Sequence, residues 1–204
     1  GKNLADGSDV SNQDTRAARI SAGFFPSGLP LSLQLSADDT RDRSNMRGFQ
    51  RLAPNPFDAA KTPIYESRYD INSGMQNANR TDSSGNAITA GWKINEAWQL
   101  KFIHAYRKSS TSTGIDFDGL PQKIADVLAD YADHSTSNEL QLSFDAGGDS
   151  SGVIGLYQFD GEAGGRVRNN FFDKSFGTTA GTVYTKSTAG YADWNWRLTP
   201  RLGL

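Results

Sequence analysis

From Glu139 to Phe144 every second residue is apolar, so an extended chain carries Leu140, Leu142 and Phe144 on one face and Glu139, Gln141 and Ser143 on the other. A period of two is what a strand shows when its two faces meet different surroundings. Ala146 to Ser150 follows with Gly, Asp and Ser, residues that reverse a chain. Val153, Gly155, Tyr157 and Phe159 then resume an apolar face against Gln158 and Asp160, which predicts a hairpin over Asn138 to Glu162. The same alternation recurs along the chain. Thr15 to Phe25 aligns Ala18, Ile20, Ala22 and Phe24, Leu31 to Arg41 aligns Leu31, Leu33, Leu35 and Ala37, and Asn86 to Ile94 aligns Ile88, Ala90, Trp92 and Ile94. Trp98 to Arg107 aligns Trp98, Leu100, Phe102 and Tyr106, with His104 placed awkwardly among them. Val183 to Leu198 aligns Gly190, Ala192, Trp194 and Trp196, and Arg201 to Leu204 begins a further strand.

The segments between these strands alternate in length. Residues 26–30, 95–97, 146–150 and 199–200 are short turns, whereas 42–85, 108–134 and 163–182 are long connections without a sustained period. Ile124 to Tyr131 within the second is expected to form a short helical turn. Such alternation puts the short turns on one rim and the long loops on the other, which is the plan of bacterial outer-membrane barrels. Strands of about 9 to 11 residues match a tilted crossing of the hydrocarbon layer. Phe24, Trp98, Trp194 and Trp196 lie beside short turns, and Tyr106, Tyr157 and Phe159 lie nearer the long loops. They read as two aromatic belts at the lipid interfaces. The predicted fold is all-β: an antiparallel meander of about seven strands plus the start of an eighth, forming part of a transmembrane β-barrel, with residues 1–204 as one partial barrel domain. Periodicity alone also suits a soluble sandwich or small barrel acting as a binding protein. Arg201 to Leu204 is too short to complete an eighth strand. An open sheet in lipid leaves backbone groups unpaired at a cost of several kcal/mol each, so the chain is expected to be a piece of a longer barrel.

Composition removes several classes. No stretch of the 204 residues approaches the run of about 18 apolar residues that a membrane helix needs, and the mean hydropathy is -0.58. A barrel survives this test because its lumen-facing residues dilute every strand. A formal charge of -2 gives no reason to expect nucleic acid, and the absence of cysteine excludes disulfides and thiolate metal sites.

The wording of the strands is itself informative. WQLKFIHAYRKSS (98–110), IDFDGLPQKIADV (115–127), NELQLSF (138–144), GVIGLYQFDGEAGG (152–165) and YADWNWRLTPRLGL (191–204) resemble successive parts of the barrel of TonB-dependent receptors, and most of all the iron-complex branch found in proteobacteria. The shared features are a Trp-x-Leu-Lys strand ending in Ala-Tyr-Arg, then Glu-Leu-x-Leu, then Gly-Leu-Tyr, then Trp-x-Leu-Thr-x-Arg-Leu, in that order over Asn86 to Leu204. The resemblance implies an outer-membrane barrel of about 22 strands with a plugged lumen. It further implies import of a ferric siderophore or another scarce nutrient such as cobalamin or a carbohydrate, with energy from the TonB complex. Neither the plug, the TonB box nor the closing strand is represented here, so no functional residue of the family transfers to this chain.

Candidate chemistry is sparse. Gly148 to Gly152 (GDSSG) resembles a serine-protease nucleophile segment, but no His and Asp partners accompany it and a polar turn explains it. Neither an enzyme nor a cofactor is expected. Asp116-x-Asp118-Gly119 resembles the opening of a calcium loop, yet the later ligands are out of register and no metal is assigned. His104 and His134 lack ligand spacing. Arg47, Arg51, Arg68 and Tyr69 in the first long connection and Arg166 and Arg168 in the third are candidates for holding an anionic ligand at the barrel mouth, since guanidinium forks suit carboxylate, catecholate and phosphate oxygens. The plain alternative is solvated loop charge balanced by Asp42, Asp58, Glu66, Asp70 and Asp82.

Overall fold

The computed structural model describes residues 1–54, 64–75, 79–147, 150–199 and 202–203, with backbone alone for 197–199 and 202–203. It contains β1 (Thr15–Phe24), β2 (Leu31–Asp42), β3 (Asn79–Lys93), β4 (Trp98–Asp116), β5 (Ala125–Asp145), β6 (Ser150–Phe171), β7 (Lys174–Thr199) and β8 (Leu202–Gly203). They form one meander in sequence order, every neighbouring pair antiparallel. The all-β expectation therefore holds, and the short turns over 26–30 and 95–97 fall where the pattern puts them, while residues 148–149 and 200 of the other two lie outside the described residues. Asn95 closes the β3–β4 turn by accepting backbone N–H bonds from Ala97 and Trp98 at 2.9 Å each, the local bonding that favours Asn in turns.

The strands run further than their alternation. β4 and β5 pair without interruption from Trp98 opposite Phe144 to Asp116 opposite Asp126, and β6 and β7 pair up to Phe171 opposite Lys174. The connections expected over 108–134 and 163–182 are thus hairpin arms closed by tips, and Ala125 to Tyr131 is strand where a helical turn over Ile124 to Tyr131 was expected. The reason lies in the composition. Ser109 to Thr113 and their partners Asp133 to Ala129 are, Tyr131 apart, polar or small on both faces, and a strand whose two sides do not differ in polarity has no cause to alternate.

Cross-strand register defines two faces. One carries the rows Trp98–Phe144–Gly152–Trp194, Leu100–Leu142–Ile154–Ala192 and Phe102–Leu140–Leu156–Gly190. Phe24, Leu33, Ala90 and Phe102 continue this band across β1 to β4. The next row, His104–Asn138–Gln158, ends the band; His104 Nδ1 and Asn138 Oδ1 lie 2.8 Å apart. The opposite face is mainly polar, with Gln34, Thr89, Arg107, Glu139, Gln141 and Ser143, interrupted by Ile103 and Val153. One face assignment is corrected here. Tyr157 and Phe159 pair with Glu139 and Ser137 on the polar face, and Ile154 and Leu156 hold the apolar positions of β6. The sequence near Ile154 is apolar at consecutive positions, so period alone left the parity open, and the register with Leu140 and Leu142 decides it.

Among the described residues no second layer covers the apolar band. Ile20, Leu35, Phe102, Leu140, Ile154 and Leu156 are all exposed, Leu156 by 62%. The buried core lies elsewhere, where residues 1–14, 43–54 and 64–75 fold together beyond the long-arm end of the sheet. Val10, Met46, Ile71 and Met75 form it, with Leu128 of β5 packed against it. Asn3 is fully buried and completes the join, donating to Ser73 O at 2.9 Å and accepting from Ser73 N at 2.8 Å. These aperiodic segments make a small cap.

Candidate functional site

Two constellations stand out, one on the polar face and one at the hairpin tips. On the polar face Tyr191 of β7 reaches across Gly155 of β6 to β5. Its hydroxyl donates to Glu139 Oε1 and accepts from Gln141 Nε2 at 3.0 Å, while Gln141 Nε2 also meets Glu139 Oε1 at 2.9 Å. Only a residue without Cβ lets the ring lie flat on β6, since a Cβ at Gly155 would run into the Tyr191 ring. Nearby, Arg107 holds Asp38 through both guanidinium Nη atoms at 3.2 and 3.0 Å. On the apolar face Trp98 lies 4.7 Å from Phe144 and Phe144 stacks 5.4 Å from Trp194, a row of rings spanning four strands over Gly152.

The tips are held by carboxylates. Asp116 Oδ1 accepts from the N–H of Asp118 at 2.9 Å and of Gly119 at 2.8 Å. Asp118 Oδ1 accepts from Leu120 N at 2.8 Å, and its Oδ2 accepts from Ile124 N and Ala125 N at 3.1 and 2.5 Å. This self-bonding folds residues 117–124 into a tight end for the β4–β5 arm. The carbonyls of Ile124 and Lys123 then accept the amides of Phe172 and Asp173 at 3.0 and 2.9 Å. That docking holds the β6–β7 turn with φ of 52° at Phe172 and 59° at Asp173, a left-handed pair of the kind two-residue hairpins use.

A third carboxylate joins the tip. Asp126 lies directly opposite Asp116, and Asp116, Asp118 and Asp126 bring one carboxylate oxygen each to within 4.8 Å of the others. Asp116 and Asp126 are each only 7% exposed. Burial, followed by the charges of Asp116 and Asp118, pushes the Asp126 carboxyl up to about 6. Asp118 is also raised, first by burial and partly offset by its bonds to backbone amides. The calcium-loop resemblance stopped at Asp116 and Asp118. The signal that finds Asp126 is register, since it lies opposite Asp116 once Trp98 faces Phe144 and no bulge intervenes.

The residues singled out for an anionic ligand do not converge on one point. Arg51 is engaged in structure, with Nη1 donating to Asp118 O at 2.8 Å. Arg47, Arg68 and Tyr69 are exposed on the cap, the Arg68 guanidinium lying 5.5 Å from the Tyr69 ring centre. Arg168 donates to Asp130 Oδ2 at 3.0 Å, and Arg166, opposite Asp130, is exposed. Both belong to the face that bears Ile154 and Leu156, beyond the apolar band. Of the aromatics, Phe24, Trp98, Trp194, Trp196 and Tyr106 keep the apolar-face parity.

Together these features describe one class of architecture, a single-layer antiparallel wall with one apolar and one polar face, as in a meander barrel. The ferric yersiniabactin uptake receptor FyuA from Yersinia pestis has this fold: it superimposes with a TM-score of 0.77 at 16% sequence identity, covering 99% of this chain and 30% of that one. The chain thus spans under a third of the length of that receptor. No protein-family model and no curated relative matches the chain.

Proposed function

We propose that the chain is part of the barrel wall of an outer-membrane receptor that binds a ferric siderophore, or a similarly scarce nutrient, and imports it with energy delivered by TonB. The observation that carries this reading is the uncovered apolar band bordered by the ring row of Trp98, Phe144 and Trp194. An exposed apolar surface of this extent on one sheet face is unfavourable in water and suits lipid. The polar face then lines the lumen, and the hairpin arms and cap extend outside the cell. From the Trp98 row to Asp116 is 18 residues along β4, roughly 60 Å of strand, about twice what a bilayer crossing uses. Lipid, the nutrient and the TonB complex are the partners of this reading, with coupling through parts of the receptor beyond this chain. Likeness in shape to a ferric yersiniabactin receptor supports the choice of an iron chelate. The exposed Arg47, Arg68 and Tyr69 are proposed to meet the anionic cargo. Arg51, bonded to the Asp118 carbonyl, and Arg168, bonded to Asp130, are proposed to steady the surrounding arms, with the exposed Arg166 as a further anion contact.

The test uses the full reading frame expressed in an iron-starved Gram-negative host lacking its own receptors. The protein is expected in the outer membrane, soluble only in detergent, with uptake of a radiolabelled ferric siderophore that disappears when TonB is deleted. A monodisperse monomer in detergent-free buffer would sink the proposal. Uptake unchanged after Arg47, Arg68 and Tyr69 are all replaced by Ala would remove those residues from the binding site while leaving the transport reading in place.

A further inference from the structure

We propose that Asp116, Asp118 and Asp126 form a calcium site at the tip of the β4–β5 hairpin. The proposal is independent of which nutrient, if any, the barrel carries.

Two observations support it separately. The first is the cluster, with three carboxylate oxygens mutually within 4.8 Å. Oxygens this close together can all reach one ion, since calcium–oxygen bonds are about 2.3–2.6 Å. The second is an orphan acceptor. Asp116 Oδ2 is buried and has no hydrogen-bond partner among the described residues, although Oδ1 of the same group accepts two backbone amides. Those two bonds pin the carboxylate, so Oδ2 stays where it is, cut off from both water and donors. Buried polar atoms are nearly always satisfied, and a carboxylate oxygen left bare is among the most costly exceptions.

The surroundings argue for a cation over any side-chain partner. Asp126 faces Asp116 directly across the ladder, a like-charge pairing that sheets disfavour. Basic residues of the tip region have partners of their own, Arg168 bonding Asp130 Oδ2 at 3.0 Å. Lys123 pairs with Asp173 at 3.7 Å, and the Arg51 guanidinium bonds the Asp118 carbonyl. Hard oxygen donors without thiol or imidazole favour calcium, magnesium or manganese over zinc and copper, and three carboxylates suit the larger ion, since magnesium is usually held by one or two; the chain has no Cys, and its two histidines, His104 and His134, sit further down the β4–β5 pair. Water would complete the coordination.

The ion would stiffen two hairpins at once. Asp118 organises the 117–124 turn through the amides of Leu120, Ile124 and Ala125, and that turn in turn holds the amides of Phe172 and Asp173. Three carboxylates in a loop of ordinary rigidity place the affinity among extracellular calcium modules, with half-saturation at about 0.1–1 mM.

The experiment uses the full-length protein in detergent, stripped with a chelator and dialysed against radioactive calcium. The unaltered protein is expected to bind about one more ion per chain than either Asp116→Asn or Asp126→Asn, while Asp133→Asn lower on β5 binds as the unaltered protein does. Both test substitutions keep the side-chain shape, and an Asn at 116 retains an oxygen for the two turn amides. Trypsin cleavage after Lys123 is expected to slow several-fold in millimolar calcium and to be little changed by magnesium. Equal calcium binding in all four proteins overturns the proposal, as does equal protection by magnesium. Should an Asn variant fail to assemble, the cleavage assay on the unaltered protein decides alone: protection by calcium supports the site and its absence ends it.

Discussion

Tyr191 and Asp126 show how a single position acquires meaning only from its neighbours across the sheet. Tyr191 bonds Glu139 and Gln141 because Gly155 leaves room for its ring to cross β6. Replacing Tyr191 by Phe removes two hydrogen bonds from a partly solvated site and should cost about 1 kcal/mol. Gly155→Val displaces the ring as well and should cost more, about 1–3 kcal/mol. Both are read as the midpoint of denaturant unfolding in detergent. Asp126 predicts a reversal. Its carboxyl, at the tip of the β4–β5 arm, is raised to about 6 because burial and two neighbouring carboxylates oppose its charge, so near neutral pH the ionised group destabilises the fold. Asp126→Asn relieves that cost and should melt above the unaltered protein in chelator, by at most about 3 kcal/mol of added stability. In millimolar calcium the order should invert, because the Asn variant lacks a ligand; thermal melts in the two buffers check both halves.

At the scale of the element, the sequence announced each strand only where its two sides differ in solvent. Leu31 to Ala37, Trp98 to Phe102 and Leu140 to Phe144 alternate because one side is apolar, and these segments were legible. Beyond His104 and Asn138 the same strands continue with Ser, Thr, Asp and Gly on both faces, and their pairing to Asp116 and Phe171 could not be read from period. The cap was illegible for a related reason: Asn3, Val10, Met46 and Ile71 come from irregular chain and meet only in three dimensions. The Asp116 half of the calcium cluster was visible as a short motif, and the Asp126 half needed the register. The β6–β7 tip carries an inefficiency that can be tested. Phe172 sits at φ 52° and is 72% exposed, a conformation that costs a residue other than Gly or Asn roughly 1 kcal/mol without recovering it in burial. The double change Phe172→Asn and Asp173→Gly supplies the preferred sequence for this turn and keeps both amides on Ile124 and Lys123. It should stabilise the protein by about 1 kcal/mol, seen as a higher temperature for loss of the folded band in heat-modifiability gels.

For the whole molecule, the decisive contrast is between two adjacent residues of β6. Leu156 and Tyr157 are consecutive, yet register sends Leu156 to the uncovered apolar band beside Leu140 and Tyr157 to the polar face beside Glu139. In a soluble sandwich that band would have to be sealed against a second layer, whereas among the described residues it is open. If lipid covers the band, Leu156→Arg puts a charge into hydrocarbon one row inside the band's polar border and costs about 1–3 kcal/mol, between the midplane and interface values. Tyr157→Arg, one residue along, points into a watery lumen that already holds Arg107 and Lys101, and it should cost well under half as much. The measurement is the fraction of each variant that reaches the outer membrane in heat-resistant form, with refolding into vesicles of defined lipid as the quantitative version. A large loss for Leu156→Arg with near-normal assembly of Tyr157→Arg is expected. Equal tolerance of both would mean that neither face meets lipid, and equal failure would mean that the polar face is packed against protein along its length.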